Sequence, residues 1–148
     1  MRSVLSTGEV SVLSVSGEIV CYGLGSCIGV FLYDRFKKIG AGAHIMLPSN
    51  EKSSESDVML SQIVNQMIDE GSHLLTIRAR LVGGADILGI NAYHIGIKNL
   101  GFVRTWLKKR GIIIIGEDVG GGESRTARLD IDTGQLHIKN SRNENYSI

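Results

Sequence analysis

Nineteen glycines against a single proline in 148 residues set the first limit on what this chain can build. Glycine supplies tight turns and close backbone approach and weakens helix interiors, so many short strands joined by sharp loops are expected. The length fits one domain able to bury a real core. Charged residues make up 21%, and the 16 basic and 15 acidic side chains are scattered rather than clustered. That pattern argues against nucleic acid or an anionic membrane surface as a partner.

Met1 to Val15 lacks the basic start and continuous apolar run of a signal peptide. No stretch approaches the ~18 apolar residues needed to cross a bilayer, so no membrane insertion is expected. Two cysteines without an export signal fit a reducing cytoplasm.

Alternation of apolar and polar residues predicts strands over Glu9 to Leu13, Glu18 to Tyr22, Ile28 to Tyr33 and Ile39 to Leu47. The turn Asp34 to Lys37 joins the last two. Pro48 ends the run and opens a polar loop, Ser49 to Ser56. A helix follows from about Asp57 to Glu70, its apolar stripe formed by Met59, Ile63, Val64, Met67 and Ile68, with Gly71 as stop signal. Thr76 to Val82 is a further strand, followed by the loop Gly83-Gly84-Ala85-Asp86. A second helix is expected from about Tyr93 to Arg110, with Ile97, Leu100, Val103, Trp106 and Leu107 inward. Ile112 to Ile115 reads as a buried strand, and Thr126 to Ile131 with Gln135 to Lys139 as a hairpin. The polar tail, 140–148, is expected to be flexible. The whole, 1–148, is one α+β domain with two main helices.

The segment Cys21-Tyr22-Gly23-Leu24-Gly25-Ser26-Cys27, followed by strand, turn, strand and His44, carries the chemistry. A four-residue loop at Asp34 to Lys37 sets Tyr33 against Lys38, and hence Ile28 against Ala43, Val30 against Ala41 and Leu32 against Ile39. These pairs are apolar and share one face. The other face pairs Cys27 with His44, Gly29 with Gly42 and Phe31 with Gly40. Directly opposite residues have Cβ atoms about 4.5–5.5 Å apart, so a thiol and an imidazole meet beside glycines that leave room for a ligand. Treating Gly23-Leu24-Gly25 as a second hairpin loop brings Cys21 opposite Cys27, although Glu18 then lands against Val30 on the apolar side. Such a pair suits nucleophilic catalysis. The imidazole takes the thiol proton, and the Gly23, Gly25 and Ser26 loop, with the Cys27 amide, offers N–H groups to an oxyanion. The plainer reading, a buried structural cysteine and histidine, stands beside it.

The motifs Gly23-Leu24-Gly25-Ser26-Cys27 and Ala43-His44-Ile45-Met46-Leu47-Pro48 resemble those of the CheD family of chemoreceptor glutamine deamidases. The likeness extends through Gly83-Gly84-Ala85, Ile95-Gly96-Ile97-Lys98-Asn99, Glu117-Asp118-Val119-Gly120-Gly121 and Thr133-Gly134. It implies a layered α/β/β sandwich of mixed, largely antiparallel sheets, with Cys27 as nucleophile and His44 as base. The implied reaction is hydrolysis of selected glutamines to glutamate, through a thioester, on the cytoplasmic domain of methyl-accepting chemotaxis receptors. A chemotaxis phosphatase of the CheC family is the implied second partner. The family places a threonine as third catalytic member where this chain has Cys21. A thiol is a poor hydrogen-bond acceptor, so His44 is held more loosely, or a backbone carbonyl orients it.

No cofactor or metal is expected. His73, His94 and His137 have no ligand-like spacing, and Gly83-Gly84 lacks the residues that complete a phosphate loop. Arg125 is a plausible ion-pair partner for Glu117 or Asp118, and Trp106 is assigned to the core. The alternative to an enzyme is a non-catalytic adaptor for receptor and phosphatase. A third reading keeps the thiol chemistry but directs it to transglutamination or to small amides.

Overall fold

A computed structural model describes residues 1–46, 54–87 and 94–148. The Pro48 break, most of the Ser49 to Ser56 loop and the Tyr93 helix start lie outside the described residues. In chain order the elements are β1 (Arg2–Val4), β2 (Val10–Leu13), β3 (Glu18–Leu24), β4 (Ile28–Asp34), β5 (Ile39–Ile45), α1 (Ser54–Asp69) and β6 (Arg78–Gly83). These are followed by α2 (Ile95–Lys109), β7 (Ile113–Val119), β8 (Arg125–Asp130), β9 (Leu136–Asn140) and β10 (Asn145–Ser147).

The strands form two five-stranded sheets, ordered β2-β5-β4-β6-β7 and β1-β3-β8-β9-β10. Among the described residues only the β1–β3 and β6–β7 pairs are parallel. One face of the first sheet, with Ile28, Val30, Leu32, Ala41, Ala43 and Ile45, packs under both helices. Its other face meets the second sheet around Leu24, Phe31, Val82, Ala127 and Leu129. The expected α/β/β sandwich is therefore present.

The β4–β5 hairpin keeps its expected faces but changes its register. Asp34 belongs to the strand, and its carboxylate accepts the Phe36 and Lys37 amides at 2.9 and 3.2 Å, which moves the loop one residue onward. Lys38 completes the loop at φ 52°. Ile28 consequently faces Ile45, not Ala43, and Gly29, not Cys27, faces His44. A slip of two residues preserves side-chain parity, so the apolar and glycine-rich faces stay as read.

The second expected hairpin does not form. β3 and β4 lie in different sheets, and 25–27 carry the chain from one to the other. Cys21 is set against Ala127 of β8, not against Cys27. The strain at Glu18 was the sign of this. On β3 its carboxylate reaches Arg2 at 3.1 Å and Arg128 at 3.4 Å, which an apolar neighbour such as Val30 could not replace.

Two helix faces are also rotated from expectation. In α1 the buried stripe runs through Leu60, Ile63, Val64 and Met67, leaving Ile68 exposed. In α2 it runs through Gly96, Asn99, Leu100, Val103, Trp106 and Leu107, and Ile97 points outward. The polar tail forms β10 on β9, and the Ile148 carbonyl accepts from Arg80 at 3.0 Å. Alternation over so few polar residues gave no strand signal there.

The glycines of the first sheet's inner face do not open space for a ligand. A Cβ at Gly42 would lie 2.7 Å from Ile19 Cγ2, and one at Gly40 would lie 2.4 Å from Ile131 Cδ1. Side chains of the opposite sheet fill these positions, so the glycines serve close sheet packing. Gly42→Val should therefore destabilise the fold by about 2 kcal/mol through overpacking. Gly101, on the exposed face of α2 with nothing within 4 Å of a new Cβ, should gain about 0.5–1 kcal/mol on Gly101→Ala. Urea unfolding of both variants checks the contrast.

Candidate active site

The crossover 25–27 carries the chain from the second sheet to the first, and its three carbonyls are all tied down. Gly25 O accepts the Ala85 amide at 2.8 Å, and Cys27 O accepts the Gly84 amide at 2.9 Å. Ser26 O accepts Asn99 Nδ2 of α2 at 2.8 Å. This anchoring depends on glycine twice. Gly83 has φ +115°, and a Cβ there would stand 2.2 Å from Cys27 O. Gly96 brings α2 so close that its Cβ would stand 2.5 Å from Gly84 O. With the carbonyls committed, the Ser26 and Cys27 amides have no acceptor among the described residues.

Cys27 is 8% exposed and His44 6% exposed. His44 lies on the inner face of β5 opposite Gly29, and Cys27 precedes Gly29 by two residues on the same side. That is a diagonal relation, not the direct one expected, and no hydrogen bond joins sulfur and ring. The ring is oriented by Leu5 O, 3.0 Å from Nδ1. The segment that supplies this carbonyl also brackets the His44 backbone. The Gly8 amide donates to His44 O at 2.9 Å, and the His44 amide donates to Glu9 O at 3.1 Å. With Nδ1–H donated to Leu5, Nε2 carries the free lone pair.

Burial pushes the Cys27 thiol above its ordinary pKa, and a hydrogen bond with Thr7 draws it partly back. The Thr7 hydroxyl stands 3.9 Å from the sulfur. Cys21 is fully buried, with its thiol pushed up to about 12 by burial and then by the nearby charge of an ionised Cys27. Cys21 makes no hydrogen bond to His44, and both cysteines are free thiols. Gly23, at φ +59°, donates its amide to Thr126 Oγ1 at 3.2 Å across a β3 irregularity, which commits that amide to the second sheet.

The remaining candidates are architectural. Asp118 meets Arg125 at 3.4 Å, as expected for one of the two acids, while Glu117 pairs with Arg104 at 2.6 Å. Arg125 also donates to Gly120 O at 2.7 Å, bracing the loop whose Gly121 O accepts the Asp86 amide. Trp106 is 5% exposed and its indole donates to Asp57. Among the described residues no cluster of three or more His, Cys, Asp or Glu side chains could hold a metal ion. No helix among them is long and apolar enough to cross a membrane.

Leu5 and Thr7 are absent from the sequence reading, and Asn99 enters it only as the end of the Ile95–Asn99 motif, with no role assigned. Asn99 carried a signal, because a polar residue at helical spacing from Gly96 and Val103 interrupts an apolar stripe. Leu5 and Thr7 carried none, since their roles arise from a backbone carbonyl and an isolated hydroxyl.

The architecture defines a class: two-sheet α/β/β domains with a cysteine and a histidine buried near the crossover between the sheets. A family described as CheD chemotactic sensory transduction matches residues 46–140. The chemoreceptor glutamine deamidase CheD of Thermotoga maritima is 33% identical, over 94% of this chain and 92% of that protein. The probable chemoreceptor glutamine deamidase CheD of Thermococcus kodakarensis is 32% identical, over 97% of this chain and 95% of its own length. This chain belongs to the CheD family. Among solved structures, the Bacillus licheniformis hypothetical protein YfiH superposes with a TM-score of 0.51 at 17% identity. The overlap covers 74% of this chain and 49% of that one, a likeness of fold alone.

Replacing Asn99 by Ala should leave the Ser26 carbonyl without its buried donor and cost about 1–3 kcal/mol. Asn145→Ala, on exposed β10, should cost less than about 0.5 kcal/mol. Equilibrium unfolding in urea distinguishes the two.

Proposed function

We propose that this protein hydrolyses glutamine side chains to glutamate on the cytoplasmic domain of methyl-accepting chemotaxis receptors, with Cys27 as nucleophile and His44 as base. The observation that carries the reading is the orientation of His44. Its Nδ1 is held by Leu5 O, which leaves Nε2 as proton acceptor on the face where Cys27 lies. A thiol kept protonated by burial needs such a base, and the separation seen here must close when substrate binds.

In the proposed sequence, His44 takes the Cys27 proton as the sulfur attacks the carboxamide carbon. The Cys27 and Ser26 amides face the developing oxyanion, while the crossover's carbonyls remain anchored behind them. Collapse of the intermediate breaks the C–N bond, and His44 returns the proton to the leaving nitrogen, which departs as ammonia. Water, activated by His44, then attacks the thioester and frees the thiol and the new glutamate.

Family membership supports the substrate, since the full-length relatives carry the name chemoreceptor glutamine deamidase. It also supports the cytoplasm as the site of action and a CheC-type phosphatase as second partner, testable by co-elution of the two purified proteins. Cys21 serves packing in this scheme. It is buried against Ala127, and the Leu5 carbonyl supplies the orientation of the ring that the family draws from a threonine.

Incubation with the cytoplasmic fragment of a cognate receptor, followed by peptide mass spectrometry, should reveal glutamine converted to glutamate. Cys27→Ala should abolish conversion, and His44→Gln should lower it at least about a hundredfold. Cys21→Ala and Cys21→Thr should stay within about threefold of the parent. Full conversion by Cys27→Ala would refute the mechanism; no conversion by the parent, with binding retained, would favour the adaptor.

A further inference from the structure

The mechanism above leaves one polar group at the nucleophile unused. Thr7 is an exposed residue in the turn between β1 and β2, and among the described residues its hydroxyl is the side chain within hydrogen-bond reach of the Cys27 sulfur, at 3.9 Å. Its position is fixed from both sides. Leu5 N donates to Val20 O at 2.8 Å on one flank. On the other, Gly8 and Glu9 bracket the His44 backbone at 2.9 and 3.1 Å. The short 5–9 segment therefore delivers a carbonyl to the base and a hydroxyl to the nucleophile.

We propose that Thr7 is a positioning residue for Cys27, its hydroxyl donating to the sulfur when the thiolate forms and holding the thiolate beside the 5–9 turn. Thiolates accept hydrogen bonds far better than thiols, so the contact strengthens as the proton leaves for His44. Among the described residues, the protonated Nε2 of His44 is the one other side-chain donor that faces the sulfur on the proposed mechanism. β3 presents the buried thiol of Cys21 and the apolar Leu24, β6 presents Val82 and Gly83, and β5 presents His44, whose Nδ1 is taken by Leu5 O. The nearest carboxylate in the sequence, Glu9, faces back to accept the Ser6 amide at 2.7 Å. This role rests on Cys27 being the nucleophile, but its signature resides in the thiol itself and is read without receptor.

The test is the pH dependence of Cys27 alkylation by iodoacetamide in the isolated protein, with tandem mass spectrometry locating the adduct on Cys27 and not Cys21. Thr7→Val replaces the hydroxyl by a methyl group of similar size, and Thr7→Ser restores a hydroxyl. The alkylation midpoint of Thr7→Val should rise by about half a pH unit or more, equivalent to about a threefold or greater loss of thiolate at a given pH below it. Thr7→Ser should stay at the parent midpoint. An unchanged midpoint in Thr7→Val, or equal displacement in both variants, would overturn the proposal. Persistent deamidation by Cys27→Ala would instead overturn the catalytic reading, so the two failures are distinguishable.

Discussion

The crossover at 25–27 is the constraint on which the rest of the structure depends. Its three carbonyls are fixed by the Gly84 and Ala85 amides and by the Asn99 side chain. Backbone polar groups at the end of a core must be satisfied, and here the donors come from a strand end and a helix. The same bonds join the first sheet, the second sheet and α2 at one point. The last residue of that change of sheets is Cys27.

The N-terminal segment contributes in a complementary way. β1 extends the second sheet and β2 the first, so the short turn between them also bridges the layers. Two bridges, 5–9 and 25–27, thus flank one end of the sandwich. One holds the imidazole through a backbone carbonyl, and the other holds the thiol. An imidazole oriented by main chain is less exposed to side-chain drift than one oriented by a hydroxyl.

Much of this was legible in the sequence, for reasons tied to particular residues. The face parity of β4 and β5 followed from Ile28, Val30 and Leu32 alternating against Ala41 and Ala43, and it survived a slip of two because pleat alternation repeats every second residue. The slip itself depended on Asp34 capping its own turn, a choice that pattern alone does not make. The sheet assignment of β3 was illegible because Gly23-Leu24-Gly25 is equally able to reverse a strand or to carry it across a gap. Only the misfit of Glu18 against Val30 hinted at the second outcome. The helix faces were misjudged at Ile97 and Ile68, where hydrophobicity outranked geometry; the buried stripe of α2 instead includes a glycine and an asparagine.

The bare inner wall formed by Gly40 and Gly42 makes the sandwich lopsided in its tolerance of change. Ile19, Leu129 and Ile131 project from the opposite layer onto buried main chain, and main chain cannot swing to heal a void as a rotamer can. Erosion of those three side chains during sequence divergence would leave gaps that the glycine backbone across from them cannot move to fill. The layer bearing the long side chains is consequently the one where drift should be slowest.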